Sequence, residues 1–169
     1  MRFVADSSLG RLAKWLRLLG FDTVVQALPS TPARLPPPVS GTVYLTRRAA
    51  WQGSLREDVL VLKNNDPERQ LAELGQRFAL HRQSGRAFSR CAECNEPLLP
   101  LDRGTALELV PDHVFFTQEQ FFQCPACRRV YWPGSHLNRI ITKIKEMYPD
   151  RGRLLLPPGN FRKGVPYGH

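Results

Sequence analysis

The sequence predicts an α/β fold with a mostly parallel sheet over its first half, followed by a separate four-cysteine module. Over residues 1–80, short apolar segments alternate with amphipathic helical segments, which is the order of a parallel α/β layer. All four cysteines of the 169-residue chain fall later, in two CxxC pairs. We therefore predict an α/β domain over 1–80, a linker over 81–90, a cysteine module with a terminal helix over 91–148, and a Pro/Gly/Arg-rich tail over 149–169.

The first strand and the first helix follow from an apolar run and a helical repeat. Residues 2–6 predict a buried strand that ends in Asp6, and Ser7 or Ser8 is placed to cap the helix after it. Gly20 is a typical helix terminator. The buried face of this helix is predicted from apolar residues at helical spacing, namely Leu9, Leu12, Ala13, Leu16 and Leu19.

The rest of the first half continues the alternation. Five prolines in residues 27–41 exclude a regular helix and predict an extended connector. Asp66 before Pro67 is a strong helix start, and Leu71, Leu74 and Phe78 supply its buried stripe. The remaining predicted strands are 21–26, 42–46 and 59–63.

The cysteine pairs predict a structural zinc site made by Cys91, Cys94, Cys124 and Cys127. Each CxxC turn presents two thiolates to one tetrahedral ion, and four thiolates close its coordination shell. The 29 residues between Cys94 and Cys124 exceed the usual spacing, and two disulfides or a redox CxxC are the alternatives. Such a site explains folding and leaves the function open.

The charge of the chain favours a polyanionic partner. Lysine and arginine number 24 against 15 acids, a net charge of +9, and arginine suits bidentate phosphate contacts. We expect RNA or a ribonucleoprotein as partner, no membrane association and a cytoplasmic location, since no apolar run is long enough to span a bilayer. The candidate nucleic-acid contacts are Arg11, Lys14, Arg17, Arg47, Arg48, Arg128, Arg129, Arg139 and Lys143.

Acidic residues of the first half are the candidates for catalysis. Asp6 stands at the carboxyl end of the first strand, where parallel α/β folds place their active sites. A metal-dependent nuclease needs more than one carboxylate to hold Mg²⁺. Asp22 is the second candidate, and Asp58 is a less favoured third one.

The chain resembles the Mut-seven C-terminal ribonuclease-like family. The resemblance begins in FVADSSLGRLAKWLRLLGFDT (3–23) and continues in Leu-Thr-Arg (45–47) and DPERQL (66–71). It extends through FSRC (88–91) and YWPGSH (131–136), so it covers most of the chain up to about residue 148. The resemblance implies a PIN-like domain with an appended zinc ribbon, which cuts RNA with Mg²⁺ or Mn²⁺ and uses Asp6 and Asp22.

Two departures from the family pattern bear on activity. The family has an acid after Leu-Thr-Arg, and this chain has Arg48; the proline-rich connector stands where the family has an acidic helix. A cation at that position repels a divalent ion. The favoured hypothesis is thus an RNA-binding protein with a degraded metal site. The alternatives are an active endoribonuclease that uses Asp6 and a zinc-ribbon adaptor for a protein partner; the oligomeric state stays open.

Overall fold

The first half is an α/β layer with a four-stranded parallel sheet. The computed structural model describes residues 1–78, 80, 88–134 and 142. The strands lie in the order β2-β1-β3-β4, so that β1 and β3 are central and their carboxyl ends meet at one edge. The predicted α/β class is confirmed, and β4 is two residues shorter than predicted. The strands are β1 (Arg2–Asp6), β2 (Asp22–Gln26), β3 (Thr42–Thr46) and β4 (Val59–Val61).

The first helix differs from the prediction only at its start. A 3₁₀ turn, Ser7–Leu9, precedes α1 (Gly10–Leu18). Neither serine is the cap, because the Asp6 carboxylate itself accepts a hydrogen bond of 3.0 Å from the backbone N–H of Ser7. Gly20 ends the helix with a φ of 88°, a conformation that favours glycine. The acid at the strand end therefore fixes how the helix begins.

Both long helices pack on the same face of the sheet. The second helix, α2 (Pro67–Arg77), begins as predicted at Asp66, whose side chain accepts hydrogen bonds of 3.1 Å from two backbone N–H groups of its first turn. These helices and the sheet enclose one apolar core, in which burial of each large side chain contributes about 1.5–3 kcal/mol. Its members include Phe3, Ala5, Leu12, Leu16, Val43, Leu45, Leu71 and Leu74.

The proline-rich connector covers the opposite face. Leu28 and Leu35 of the connector are buried against Val4 and Tyr44 of the sheet, together with Trp51 from a 3₁₀ turn after β3. One short 3₁₀ turn, Pro32–Arg34, is the only helical element of residues 27–41, as the prolines predict. An extended segment therefore serves as the second layer on this face.

The cysteine module is an antiparallel sheet with a helical insertion. Its strands are β5 (Leu99–Leu101), β6 (Phe121–Gln123) and β7 (Val130–Tyr131). Two short helices that the sequence analysis did not predict, α3 (Arg103–Ala106) and α4 (Asp112–Thr117), lie between β5 and β6. They enclose a small core with Phe121 and account for the long spacing between the cysteine pairs.

The first cysteine turn is docked on β2, which is an edge strand of the parallel sheet. The Asn95 side chain accepts a hydrogen bond of 3.0 Å from the backbone N–H of Thr23 and donates one of 2.7 Å to Asp22. The backbone N–H of Phe88 also donates to the carbonyl of Leu18 at 2.8 Å. The two predicted domains therefore pack directly against each other.

Arg17 strengthens the same contact from α1. Its side chain is buried, and it donates to the carbonyl oxygens of Thr23, Ala92 and Glu93 at 2.7–2.8 Å. Burial lowers the pKa of Arg17, while nearby cysteine and acidic groups act in the opposite direction. Arginine keeps its proton under such conditions. Arg17 of the first half thus supplies hydrogen-bond donors for backbone carbonyl groups of the cysteine module at the contact between the two halves.

The remaining predictions about the chain lie partly outside the described residues. Three predicted segments are not covered by the described residues: most of the 81–90 linker, the terminal helix and the tail over 149–169. Of the terminal helix, only Thr142 is described. Among the helices that the structure describes, none has the length and apolar composition needed to cross a membrane.

We expect Asn95→Gly to lower the free energy of unfolding by about 1–2 kcal/mol, because it removes two docking hydrogen bonds, one of them to a carboxylate. Asn95 has a φ of 66°, so glycine fits its backbone. Arg128 has the matching position in the second cysteine turn with a φ of 62°. Arg128→Gly is therefore the control and should be neutral or slightly stabilising. Denaturant unfolding of the metal-loaded protein measures both; equal losses would contradict the docking role.

Candidate active site and metal centre

A cleft lies at the carboxyl edge of the parallel sheet. It has a volume of 480 Å³ and lies between the end of β1, the 3₁₀ turn after it, and the segment that follows β3. Parallel α/β folds bind ligands at this edge. Two of its lining side chains are cationic and one is acidic. The lining residues are Asp6, Ser7, Ser8, Ala27, Arg47 and Arg48.

Protein groups surround the carboxylate of Asp6, which is only 5% exposed. Its Oδ2 lies 3.0 Å from Thr46 Oγ1 and 3.0 Å from Nε of Arg48. Its Oδ1 accepts from the backbone N–H of Ser7 at 3.0 Å, with Arg48 Nη2 at 3.4 Å and the N–H of Leu28 at 3.5 Å. Both oxygens are therefore already occupied by donors.

Arg48 is held in this position by contacts on several sides. Its Nη1 donates to the carbonyl of Pro29 at 2.5 Å, and its guanidinium lies 5.7 Å from the ring centroid of Trp51. The backbone N–H of Arg48 donates to Thr46 Oγ1 at 3.2 Å. The guanidinium thus takes the place beside Asp6 that a bound cation would need.

The other candidate acids do not join Asp6. Asp22 pairs in register with Arg2, whereas Asp6 pairs with Gln26, so the two acids stand four residues apart along parallel strands. This separation is about 13 Å at roughly 3.3 Å per residue. Asp22 instead accepts the hydrogen bond from Asn95 that docks the cysteine module.

Asp58 lies before β4 and does not fill the position of Arg48. Arg56 binds it through Nε at 2.9 Å and Nη2 at 2.5 Å, and these bonds lower the pKa of Asp58. Within the described residues, Asp6 is the one carboxylate that lines the cleft. Mg²⁺ and Mn²⁺ bind through one or two carboxylates together with water, and in the arrangement seen here both oxygens of Asp6 are engaged by Arg48, Thr46 and the N–H of Ser7.

The four cysteines form a cluster that can hold a metal ion such as zinc. All four Sγ atoms lie within 4.8 Å of one another, and the Cys91 and Cys127 sulfurs are 3.7 Å apart. A tetrahedral ion with Zn–S bonds of about 2.3 Å separates its sulfur ligands by about 3.8 Å. The cysteines are free of disulfides. The donor set and its spacing therefore fit a four-thiolate metal site.

The two cysteine turns have the same backbone geometry. In the first, the N–H of Asn95 donates to the carbonyl of Cys91 at 2.9 Å; in the second, the N–H of Arg128 donates to that of Cys124 at 3.0 Å. The second cysteine of each pair directs its N–H to the sulfur of the first, at 3.3 and 3.5 Å. Such N–H groups stabilise thiolates. The repeated geometry presents two sulfurs from each turn to one centre.

Tyr131 supports the buried side of this cluster. Its hydroxyl lies 3.0 Å from the sulfur of Cys91, and it is the donor when that sulfur is a thiolate. Burial raises the pKa of the Cys91 thiol, but hydrogen bonds from Tyr131 and from backbone N–H groups outweigh this and bring the pKa to about 7. Trp132 packs beside the small core of the module. These aromatic residues have structural contacts here.

The predicted basic contacts separate into several groups. Arg11 and Arg128 are exposed and form no ion pair with any described residue. Lys14 and Arg129 both bind Oε1 of Glu93, at 2.6 and 3.2 Å. Hydrogen bonding and charge from Lys14, with smaller contributions from nearby arginines, lower the pKa of Glu93.

The other predicted basic residues have different surroundings. Arg17 is buried in the docking contact and is not accessible to a phosphate, so only Arg11 and Lys14 of the three predicted contacts on α1 are exposed. Arg47 is exposed at the cleft, where it donates to the side chain of Asn65. Arg139 and Lys143 lie outside the described residues.

Sequence reasoning missed three residues that organise these sites. Thr46 contacts Asp6, Asn95 docks the cysteine module, and Glu93 joins two basic residues. Thr46 ends the strand beside Asp6, which is a signal that sequence could have supplied. The partners of Asn95 and the Lys14 partner of Glu93 are about 70–80 positions away, and Arg129 is 36 positions from Glu93, so no local pattern marks these residues.

Comparisons with known proteins identify one family. The model described as Mut7-C RNAse domain matches residues 1–144. No curated protein and no solved structure matches the chain. The match spans both the parallel sheet and the cysteine module.

We expect Arg48→Asp to raise the affinity for Mn²⁺ by about tenfold or more. The substitution removes a cation beside Asp6 and adds an acid, and charges a few ångströms apart interact by about 1 kcal/mol even in water. Arg47→Asp is the matched control, because it makes the same charge change at the cleft without releasing Asp6. Calorimetric titration with Mn²⁺ compares the variants; equal affinities would show that position 48 does not face a divalent-ion site.

Proposed function

The chain belongs to the Mut7-C RNAse domain family, and we propose that it binds RNA through phosphate contacts at the sheet-edge cleft without metal-dependent cleavage. The observation that carries the proposal is the 3.0 Å ion pair between Arg48 and Asp6. A protein cation occupies the acid on which a catalytic metal ion would depend. The proposed partner is RNA, free or in a ribonucleoprotein, and the proposed setting is the cytoplasm.

The charge and shape of the cleft support a phosphate ligand. Arg47 and Arg48 exceed the single acid by one positive charge, and both reach a concave surface. Ser7 and Ser8 are exposed there and offer hydroxyl donors. A guanidinium presents two parallel N–H groups to phosphate oxygens, which makes arginine effective at such a site.

Arg48 can bind a phosphate while it keeps its ion pair with Asp6. Its side chain is 37% exposed, and its contact with Asp6 uses mainly Nε. The carboxylate, the Pro29 carbonyl and the Trp51 ring hold the guanidinium and lower the entropy cost of ordering it on a ligand. Asp6 therefore acts in this proposal as a positioning residue for Arg48.

We further propose that the four-cysteine cluster holds structural zinc and that the first half has a PIN-like fold. Four thiolates leave no coordination position open, so the ion has no chemistry to offer a substrate. Its role is to fix the two cysteine turns, one of which docks on β2 through Asn95. Metal binding and packing of the two halves are thereby coupled.

Active endoribonuclease is the second candidate function. Asp6 remains at the carboxyl end of β1, and the family is named for ribonuclease activity. For cleavage, Arg48 must leave the carboxylate and further metal ligands must come from outside the described cleft. A protein-interaction adaptor is the third candidate, distinguished by the absence of RNA binding.

We expect single-stranded RNA to bind with an affinity that falls steeply with salt, because phosphate contacts release counterions. Arg48→Gln should weaken binding about fivefold near 0.1 M salt, the effect of losing one contact at a slope of about 0.7. Asp6→Asn removes a negative charge but keeps a side-chain oxygen that can accept from Arg48 and hold it in position, so binding should be unchanged or stronger. Fluorescence anisotropy over a salt series measures these effects, with Arg2→Gln at the opposite edge of the sheet as control.

Incubation of RNA with the protein and Mg²⁺ or Mn²⁺ tests the enzymatic alternative. We expect no cleavage by the unmodified protein. Cleavage that disappears in Asp6→Asn would contradict the non-catalytic proposal and support the nuclease. Absent or salt-insensitive RNA binding would instead favour the adaptor.

We expect the purified protein to contain one equivalent of zinc and to lose stability when a strong chelator removes it. Structural zinc sites contribute folding free energy, so the cysteine module should unfold without the ion. Elemental analysis and thermal unfolding before and after chelation measure this, and re-addition of Zn²⁺ should restore the transition. A metal-free protein of unchanged stability would contradict the proposal.

A further inference from the structure

A row of cations leads away from the cleft along the exposed side of α1. Arg11 lies one helical turn beyond Ser8, which lines the cleft, and Lys14 lies one turn beyond Arg11. Residues three and four apart are neighbours on a helix surface, so these positions form one continuous line. Both side chains are exposed.

The row continues onto the second cysteine turn through Glu93. One oxygen of Glu93 lies 2.6 Å from Lys14 Nζ and 3.2 Å from Arg129 Nη1, which brings the two cations to the same point. Arg128 directly precedes Arg129 in that turn, and it is exposed and without an ion pair in the described part of the chain. The row therefore begins at the cleft and ends on the cysteine module.

We propose that this row guides a single RNA strand from the cleft to the second cysteine turn, a proposal that rests on the RNA binding proposed above. The row consists of Arg47, Arg48, Arg11, Lys14, Arg129 and Arg128.

A single line of cations matches one phosphodiester backbone, whereas a duplex presents two backbones across a groove. From Ser7 to Lys14 the 3₁₀ turn and the start of α1 advance about 11–12 Å, at about 2.0 Å and 1.5 Å per residue. This length accommodates about three nucleotides of a stacked strand at 3.4 Å each. The cysteine module is in this view part of the RNA surface as well as a structural support.

Glu93 lies at the end of the row that is farthest from the cleft, where it binds Lys14 and Arg129. It neutralises part of the charge of Lys14 and Arg129, yet it also holds the two side chains together. A strand that reaches this point must compete with the acid for both cations. Glu93 therefore limits affinity for RNA that is long enough to reach the cysteine turn, and short RNA does not meet it.

Two RNA probes separate the row from the cleft. The dinucleotide UpU carries one phosphate, so at the proposed cleft site it contacts Arg47 and Arg48 and does not reach Arg128 or Glu93. The octanucleotide of uridine spans the whole row. Arg128→Ala should weaken octanucleotide binding about fivefold near 0.1 M salt and reduce the salt slope by about 0.7, with UpU affinity unchanged. Glu93→Gln should strengthen octanucleotide binding by about the same factor and also leave UpU unchanged.

Matched variants control for general charge effects. Arg34→Ala removes an exposed cation of the connector, and Glu108→Gln removes an exposed acid between α3 and α4; neither lies on the row. Both should leave octanucleotide affinity within about twofold, because neither residue belongs to the row and salt screens longer-range charge effects. Zinc content and thermal unfolding of each variant verify that the cysteine module is intact.

The outcomes distinguish this proposal from the one it rests on. If Arg48→Gln weakens both probes while Arg128→Ala and Glu93→Gln change neither, RNA binding at the cleft stands and the row is wrong. If octanucleotide affinity changes equally in the row variants and their controls, the row is also wrong. If neither probe binds, both proposals fail. Tighter binding of a uridine–adenosine duplex than of the single octanucleotide would contradict the single-strand assignment.

Discussion

The carboxylate of Asp6 lies almost entirely away from water, and the carboxyl edge of the sheet is organised around the balance of its charge. An ionised acid at such a position requires a cation and hydrogen-bond donors. Arg48 supplies the cation, and Thr46 and the N–H of Ser7 supply donors. The same guanidinium binds Pro29 and lies against Trp51, so the connector and the turn after β3 are fixed by the group that neutralises the acid. The guanidinium of Arg48 thus both balances the charge of Asp6 and fixes the shape of the cleft.

A second set of polar contacts joins the parallel sheet to the cysteine module. Arg17 leaves solvent to bind two carbonyls of the first cysteine turn, and Asn95 returns two hydrogen bonds to the start of β2. These contacts link residues more than 70 positions apart along the chain. Because each involves a backbone group or a charged group that is at least partly buried, removal of one partner while the halves stay packed would leave the other polar group unsatisfied. Metal binding in one half can therefore influence the other.

Much of the architecture was predictable because it depends on local patterns. The alternation of strands and helices, the stop at Gly20, the cap at Asp66 and the extended connector all follow from propensity and spacing within a few residues. The cysteine cluster was predictable as well, since CxxC turns present sulfur pairs by local geometry. Helices α3 and α4 were missed although Asp102 caps the first and Pro111 precedes the second. They are only four and six residues long, so each carries too little periodicity to stand out.

The sequence alone determined the α/β class, the connector, the four-cysteine cluster and the family resemblance, because each resides in a contiguous motif or in the spacing of one residue type. The tertiary structure decided the surroundings of single side chains. It brought Arg48 onto Asp6, placed Asp22 beside Asn95 at the other end of the strands, buried Arg17, and joined Lys14 to Arg129 through Glu93. These outcomes depend on strand register and on packing between distant segments, and a residue type or its local spacing carries no information about either.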